Sequence, residues 1–373
     1  MPPMDTLLWL PTGAAGLAAM LAALQSARRS IRLEVYIFRD DPTGNRWLAA
    51  LIAAARRGVQ VRVQIDAVGS LELSDAFWEE LRSASGEVRW FHRFGSGRYL
   101  ARDHRKLCVV DEEMAFVFGF NIGDHYDGDG FTSGWLDVGV TVRGTAVPAL
   151  VSVFDEIYGR TDRRPAVVAR FQRRREPKFV VGIDAVQILP VSPGRRESCL
   201  LQSLYCDLPR AKRIWLISPY FLPPPKLRRV LRRAAQHGAD VRLVLPARSD
   251  VTLSQYAARR LYAGLFRAKI SVYEYEPQMV HAKIFLIDEI VYVGSSNLDP
   301  RSLFLNYELM VRTTVAGVRT GVESTFAEIF SRSHRIEASG WFKARSWTSK
   351  LWERWAYLLL YRIDPWVSRH WGS

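Results

Sequence analysis

Ala27-Arg-Arg-Ser-Ile-Arg-Leu-Glu-Val-Tyr36 returns, altered but legible, as Ala211-Lys-Arg-Ile-Trp-Leu-Ile-Ser-Pro-Tyr220. Each copy is a basic start running into an apolar stretch, and the same events follow each. After the first come a helical pattern ending Arg56-Arg-Gly58 and the run Val61-Arg-Val-Gln-Ile65; after the second come Gln236-His-Gly238 and Val241-Arg-Leu-Val-Leu245. The offset between equivalent residues drifts from 184 at the tyrosines to 180 at the glycines. That is the mark of a duplication with small insertions and deletions. Trp47, Leu48, Leu51, Ile52 and Ala55 keep helical spacing, as do Leu227, Val230, Leu231, Ala234 and Ala235. Gly58 and Gly238 stand where helix C-caps belong. Each half therefore reads strand, helix, strand, then further strands. The fold class is α/β: two pseudo-symmetric halves, each a sheet flanked by helices.

A second pair of segments carries chemistry. His104-Arg-Lys106-Leu-Cys-Val-Val-Asp111 and His281-Ala-Lys283-Ile-Phe-Leu-Ile-Asp288 share the pattern His-x-Lys-(x)4-Asp, one per half. Gly119 and Asn121 follow the first; Gly294 and Asn297 follow the second. Read as strands, the motifs send His104 and Lys106 to one side and Asp111 to the other, and likewise His281 and Lys283 against Asp288. Asp111 and Asp288 are expected to anchor strand ends or pair with basic side chains. Two histidines, two lysines and two asparagines converging across a pseudo-twofold axis would form a phosphate-sized cradle. One imidazole attacks phosphorus and the other protonates the leaving oxygen. Each histidine needs an orienting carboxylate. Asp137, 33 residues after His104, and Glu308, 27 residues after His281, stand at matching places before apolar strands and are assigned that role.

Composition narrows the partners. The 373 residues carry a net charge of +14, which favours polyanions: nucleic acid, anionic lipid or phosphorylated substrates. Cys108, Cys199 and Cys206 match no disulfide or zinc framework and are expected in the core of a protein from a reducing compartment. No Asp/Glu/His cluster has metal-ligand spacing, so no metal or other cofactor is expected. The apolar run Ala14–Leu24 is too short to span a bilayer and is expected to pack as a helix. Any membrane contact is then peripheral.

The residues resemble the phospholipase D superfamily and, within it, bacterial cardiolipin synthases of the type lacking N-terminal transmembrane helices. Beyond the two motifs, the resemblance is carried by Tyr36-Ile-Phe-Arg-Asp-Asp-Pro-Thr-Gly44, Val59–Ser70, Gly119-Phe-Asn-Ile-Gly123, Ile217-Ser-Pro-Tyr-Phe221 and Gly294-Ser-Ser-Asn-Leu-Asp-Pro-Arg-Ser302. It implies two phospholipase D-like halves sharing one active site at their interface, and a phosphohistidine intermediate. It also implies transfer of a phosphatidyl group from one phosphatidylglycerol to another, with release of glycerol. By analogy His104 is the nucleophile and His281 the acid/base, an order the near-symmetry leaves open. The resemblance further places Tyr36, Phe38, Arg98, Tyr99 and Tyr220 along the approach, with Tyr36, Tyr220 and Arg98 as substrate-binding residues. Phe118 departs from the family pattern, in which a glycine often precedes Gly119. The turn after Asp288 is also one residue shorter than that after Asp111.

The expected organisation is a first half at 1–160, a basic linker at 161–180, a second half at 181–335 and a basic, Trp-rich tail at 336–373. The tail holds Trp341, Trp347, Trp352, Trp355, Trp366 and Trp371 among lysines and arginines. It either packs on the body or meets the headgroup layer of an anionic bilayer at the cytoplasmic face of the cell membrane. A hydrolase or nuclease on the same fold is the competing function. The Trp-rich tail favours lipid over nucleic acid.

Overall fold

The computed structural model describes residues 5–92, 101–159, 185–194 and 197–363. Arg98, Tyr99, Trp366, Trp371 and the expected linker at 161–180 lie outside those residues. Two sheets form the frame. The first has seven strands: β1 (Thr6–Leu10), β2 (Ser30–Val35), β3 (Gln60–Asp66), β4 (Glu87–Phe91), β5 (Leu107–Val110), β6 (Met114–Phe118) and β7 (Gly139–Arg143), in the order β1-β7-β6-β5-β2-β3-β4. The second has eight: β8 (Val186–Val191), β9 (Arg213–Ile217), β10 (Asp240–Pro246), β11 (Ser271–Tyr275), β12 (Ile284–Ile287), β13 (Ile290–Gly294), β14 (Glu308–Thr313) and β15 (Ser333–Arg335). Its order, β8-β14-β13-β12-β9-β10-β11-β15 read from the opposite edge, repeats the first sheet and adds one strand. In both, a βαβ segment gives a parallel pair (β2/β3 and β9/β10), extended by the next strand, and the motif hairpin is antiparallel (β5/β6 and β12/β13).

Strand alternation explains how the layers stack. In β5, Leu107 and Val109 face the same core as Ile284 and Leu286 of β12, with Val117, Val140, Val293 and Leu309 around them. The sheets thus pack face to face on one shared core, and each motif strand lies at its centre. The alternate residues face outward. Cys108, Val110 and Phe116 meet the helices Gly13–Ser26 and Pro42–Arg56, while Phe285, Ile287 and Tyr292 share a core with the helices Pro225–Gln236 and Thr252–Arg267. The run containing Ala14–Leu24 is the first of these helices, with Thr12 as its N-cap. Gly58 and Gly238 sit at φ +87° and +96° just past their helices, where a side chain would be strained.

Three expectations need correction. Cys206 is exposed, unlike Cys108 and Cys199; the buried face of the helix Cys199–Asp207 is made by Cys199, Leu200, Leu201 and Leu204. Phe38 does not line an approach. It is buried against Phe77 and Trp78, because the chain turns inward after Tyr36. The motif strands begin only at Leu107 and Ile284, so His104, Lys106, His281 and Lys283 precede them on extended chain. Asp111 and Asp288 lie in the hairpin turns at φ +56° and +50°.

Candidate active site

Two isolated bridges stitch the halves together. His104 N–H donates to the Tyr307 carbonyl (2.9 Å) and Tyr307 N–H to that of Arg102 (2.9 Å). In the place related by the pseudo-twofold, Leu136 N–H donates to Met279 O (2.8 Å) and His281 N–H to Leu136 O (2.8 Å). Each histidine is therefore laid beside the carboxylate segment of the opposite half. His104 Nδ1 meets Glu308 Oε2 at 2.9 Å, and His281 Nδ1 meets Asp137 Oδ2 at 2.6 Å. Both expected carboxylates lie against a histidine, and each against that of the opposite half and not of its own. Alignment in sequence cannot see the bridges that cross the interface.

The carboxylates are held differently. Ser295 donates its hydroxyl to Glu308 Oε2 (2.5 Å) and accepts from Leu309 N–H (3.0 Å). Asp137 Oδ1 accepts from the Val138 amide at 2.8 Å. Opposite it stands Gly119, where a Cβ would fall 2.2 Å from Asp137 Oδ1. The glycine after the first motif is thus room for a carboxylate. Sequence reasoning missed Ser295, whose only signal was its place after Gly294. It also missed the pair Tyr126 and Trp135, whose rings lie 5.4 and 5.6 Å from that of His281.

Behind His104 the chain is fixed by buried charge. Asp66 Oδ2 accepts from Asp103 N–H (2.9 Å), Asp66 Oδ1 from the Arg102 guanidinium (3.3 Å), and Gln64 donates to both Asp103 (2.6 Å) and Glu34 (3.2 Å). Asp111 accepts from the backbone N–H of Arg28, Arg29 and Ser30, and Asp288 from those of Lys212 and Arg213. These two aspartates tie each motif turn to the start of the neighbouring strand, away from the histidines.

Lys106 and Lys283 are fully buried. Lys106 Nζ donates to the His104 carbonyl at 3.0 Å, and Lys283 Nζ lies 2.9 and 3.1 Å from the two ring nitrogens of His281. Burial, then repulsion from Lys283, brings Lys106 down to about 7; burial brings Lys283 down to about 8. Burial and the two lysines hold His104 well below its ordinary range. Burial and Lys283 bring His281 down to about 4, against the opposing pull of Asp137. Glu308 is pushed up to about 7 by burial. Every shift resolved on these five groups disfavours charge, and an anion between the lysines would reverse those of the cations.

The remaining expected residues are nearby. Asn121 is buried; its Oδ1 accepts from Ile37 N–H (3.1 Å) and its Nδ2 donates to the Tyr126 hydroxyl (2.9 Å), leaving one amide proton. Asn297 is buried too, with its Oδ1 unpartnered among the described residues. Tyr36 packs edge-on against His104 with ring centroids 4.8 Å apart and 5.5 Å from Lys106 Nζ. Tyr220 is turned to Asp250, to which it donates at 2.8 Å. Among the described residues, no group of three or more His, Cys, Asp or Glu side chains is placed to hold a metal ion.

Comparison with known proteins identifies the family. The family model described as "Cardiolipin synthase, PLD-like domain" matches residues 20–126 and 207–330, one segment per half. The chain belongs to this family. Its relatives include the cardiolipin synthase of Geobacillus kaustophilus, 36% identical over 310 residues, covering 80% of this chain and 61% of that protein. The cardiolipin synthase of Alkalihalophilus pseudofirmus is 34% identical over 358 residues, covering 92% of this chain and 69% of that protein. The chain thus spans about three-fifths to two-thirds of the length of these relatives. The phosphatidylserine synthase of Haemophilus influenzae shares the fold with a TM-score of 0.76 at 15% identity, over 97% of this chain and 94% of that one.

Proposed function

We propose that this member of the family is a phosphatidyltransferase acting as a cardiolipin synthase at a membrane surface. What supports the reading is one arrangement: two His–Lys pairs, each histidine backed by the other half's carboxylate, close enough that each lysine's charge bears on the histidine of the other half. His104 Nε2 attacks the phosphorus of phosphatidylglycerol while Glu308 holds Nδ1. The P–O bond to the terminal glycerol breaks, and His281 delivers its Nε2 proton to the departing oxygen. Phosphatidyl-His104 remains. His281, now neutral, takes the proton of the terminal hydroxyl of a second phosphatidylglycerol. That oxygen attacks phosphorus, the P–N bond breaks, and cardiolipin leaves with both histidines restored. Lys106 and Lys283 balance the negative charge on the phosphoryl oxygens throughout.

The assignment of His281 as acid/base is favoured by an asymmetry. Asp137 raises the proton affinity of His281, whereas Glu308, itself pushed up to about 7 by burial, is only partly ionised beside His104. Substrate phosphate adds its own negative charge beside both. His281 is then the imidazole better able to hold a proton at the start of the cycle.

Among the described residues no helix is long and apolar enough to cross a membrane. We place the protein peripherally, on the cytoplasmic face. The expected organisation of two halves, linker and tail stands as part of this reading. The test is incubation of the purified chain with phosphatidylglycerol vesicles and identification of products by mass. Cardiolipin and glycerol are expected, with phosphatidic acid minor, and added glycerol drives the reaction back. Dominant phosphatidic acid under every acceptor condition would make this a hydrolase. Cleavage of DNA without lipid turnover would make it a nuclease.

A further inference from the structure

The helix Trp347–Leu358 carries an apolar face that nothing among the described residues covers. Trp347 is 76% exposed, Trp352 62% and Trp355 58%, with Leu351, Leu358 and the following Leu359 exposed beside them. The other face is firmly seated. Ala356 packs with Ala257 and Leu222, and buried Glu353 is paired with Arg345. This is a docked helix with a contiguous apolar stripe in water, and such patches mark interaction surfaces.

Beside the stripe lies a cleft of about 600 Å³, lined by Arg228, Arg260, Arg354, Trp355, Tyr357 and Leu358 among others. Half-buried Arg228 donates to the Tyr357 hydroxyl at 3.1 Å, while its Nε is buried with no partner among the described residues. Arg260 and Arg354 are exposed and make no ion pair among the described residues. The surrounding helices deepen the positive field. Pro225–Gln236 and Thr252–Arg267 hold eight lysines and arginines and no acid; of these, Lys226 is paired with Glu197 and Arg259 with Glu274.

An occupant must satisfy both parts. A soluble polyanion would meet the arginines and leave the tryptophans in water. A second copy of the chain would cover the tryptophans but bring one positive field against another. An anionic phospholipid surface does both: phosphates for the guanidiniums, and a headgroup layer in which indole rings sit well. We infer that this face seats the protein on an anionic bilayer, with one lipid phosphate in the arginine cleft and the tryptophan stripe in the headgroup layer. The seat is mechanically close to the site. Leu222, under the helix, lies two residues from Tyr220 and donates its N–H to the carbonyl of Leu298, next to Asn297 (2.8 Å).

The inference rests on the phosphatidyl-transfer reading only for the choice of lipid, and its test reads binding without turnover. The full chain is sedimented with vesicles of phosphatidylcholine, alone or mixed with phosphatidylglycerol. Arg260→Gln/Arg354→Gln should weaken binding to the mixed vesicles by about 25-fold at low salt, about fivefold for each cation near the surface. Trp347→Ser/Trp352→Ser should weaken it on the order of tenfold. Both variants should melt like the parent and turn over monomerically dispersed short-chain phosphatidylglycerol at the parent rate. The inference is overturned if the folded arginine variant binds mixed vesicles as tightly as the parent, or if the parent binds neither vesicle. It is equally overturned if the tryptophan variant loses only self-association. Tight, arginine-dependent vesicle binding by a chain that turns over no phospholipid would sink the proposed function and leave this surface standing.

Discussion

Lys106→Met should make the protein more stable and nearly inactive at once. The ammonium is fully buried, and the fall from an ordinary 10.5 to about 7 means the fold disfavours its charge. That fall corresponds to ~5 kcal/mol on the charged form at pH ~7 and below. Methionine removes the penalty at similar volume. It also forfeits the hydrogen bond to the His104 carbonyl (3.0 Å), about 1 kcal/mol, and relaxation of the wild-type site takes a further share. A net gain of about 2–4 kcal/mol is expected. For a chain of 373 residues that is a rise of about 3–5 °C in Tm. The pH dependence follows from the sign of the shift. Between about 7 and 10.5 the unfolded chain binds more protons at this lysine than the folded one, so wild-type stability gains with pH across that window. The variant lacks that gain. Its advantage is therefore full at pH ~7 and below and shrinks to nothing towards pH ~10.5. Turnover should fall by about 10²–10³, the usual effect of losing one donor to developing negative charge. Calorimetry at several pH values, beside a phosphatidylglycerol assay, checks both halves. A variant that melts below the wild type at pH ~6 would refute the reasoning, as would one that keeps its turnover: the lysine would then be a structural anchor.

His104→Ala and His281→Ala should each cut turnover by several powers of ten with the fold intact, and EDTA should leave the wild type unaffected; restoration by a divalent ion after EDTA would sink the scheme. The crossed pairing predicts specific couplings in thermal stability. Glu308→Gln should be non-additive with His104→Ala, and Asp137→Asn with His281→Ala, by about 0.5–3 kcal/mol, whereas the same-half pairs should add. Gly119→Ala should push Asp137 from His281 and lower kcat more than it raises KM; unchanged kinetics would contradict the close approach. Asp111→Ala frees three backbone N–H groups and should destabilise by about 1–2 kcal/mol without changing turnover of the folded fraction. The Asp111 carboxyl is held below its ordinary range by those amides, so its contribution is present above pH ~4 and fades as the solution is acidified further.

The two halves, the motif pairs and the layered α/β architecture were legible in the chain because each depends on short-range pattern. Helical spacing around Trp47 and Leu227, apolar runs at Leu107–Val110 and Ile284–Ile287, and repetition at a nearly constant offset need no knowledge of distant contacts. The candidate carboxylates Asp137 and Glu308 were legible for the same reason. Which of them serves which histidine was not. That is decided by the bridges of His104 to Tyr307 and of His281 to Leu136, backbone contacts across 203 and 145 positions of sequence that exist only once the two sheets close on their common core. Burial of Phe38, the turn of Tyr220 towards Asp250, the space Gly119 leaves for Asp137 and the exposure of the Trp347–Leu358 stripe are of the same kind. A residue's type and its neighbours in the chain set what chemistry it can do. What surrounds it in space, and so its charge state and partner, is set by packing between segments that the chain itself keeps far apart.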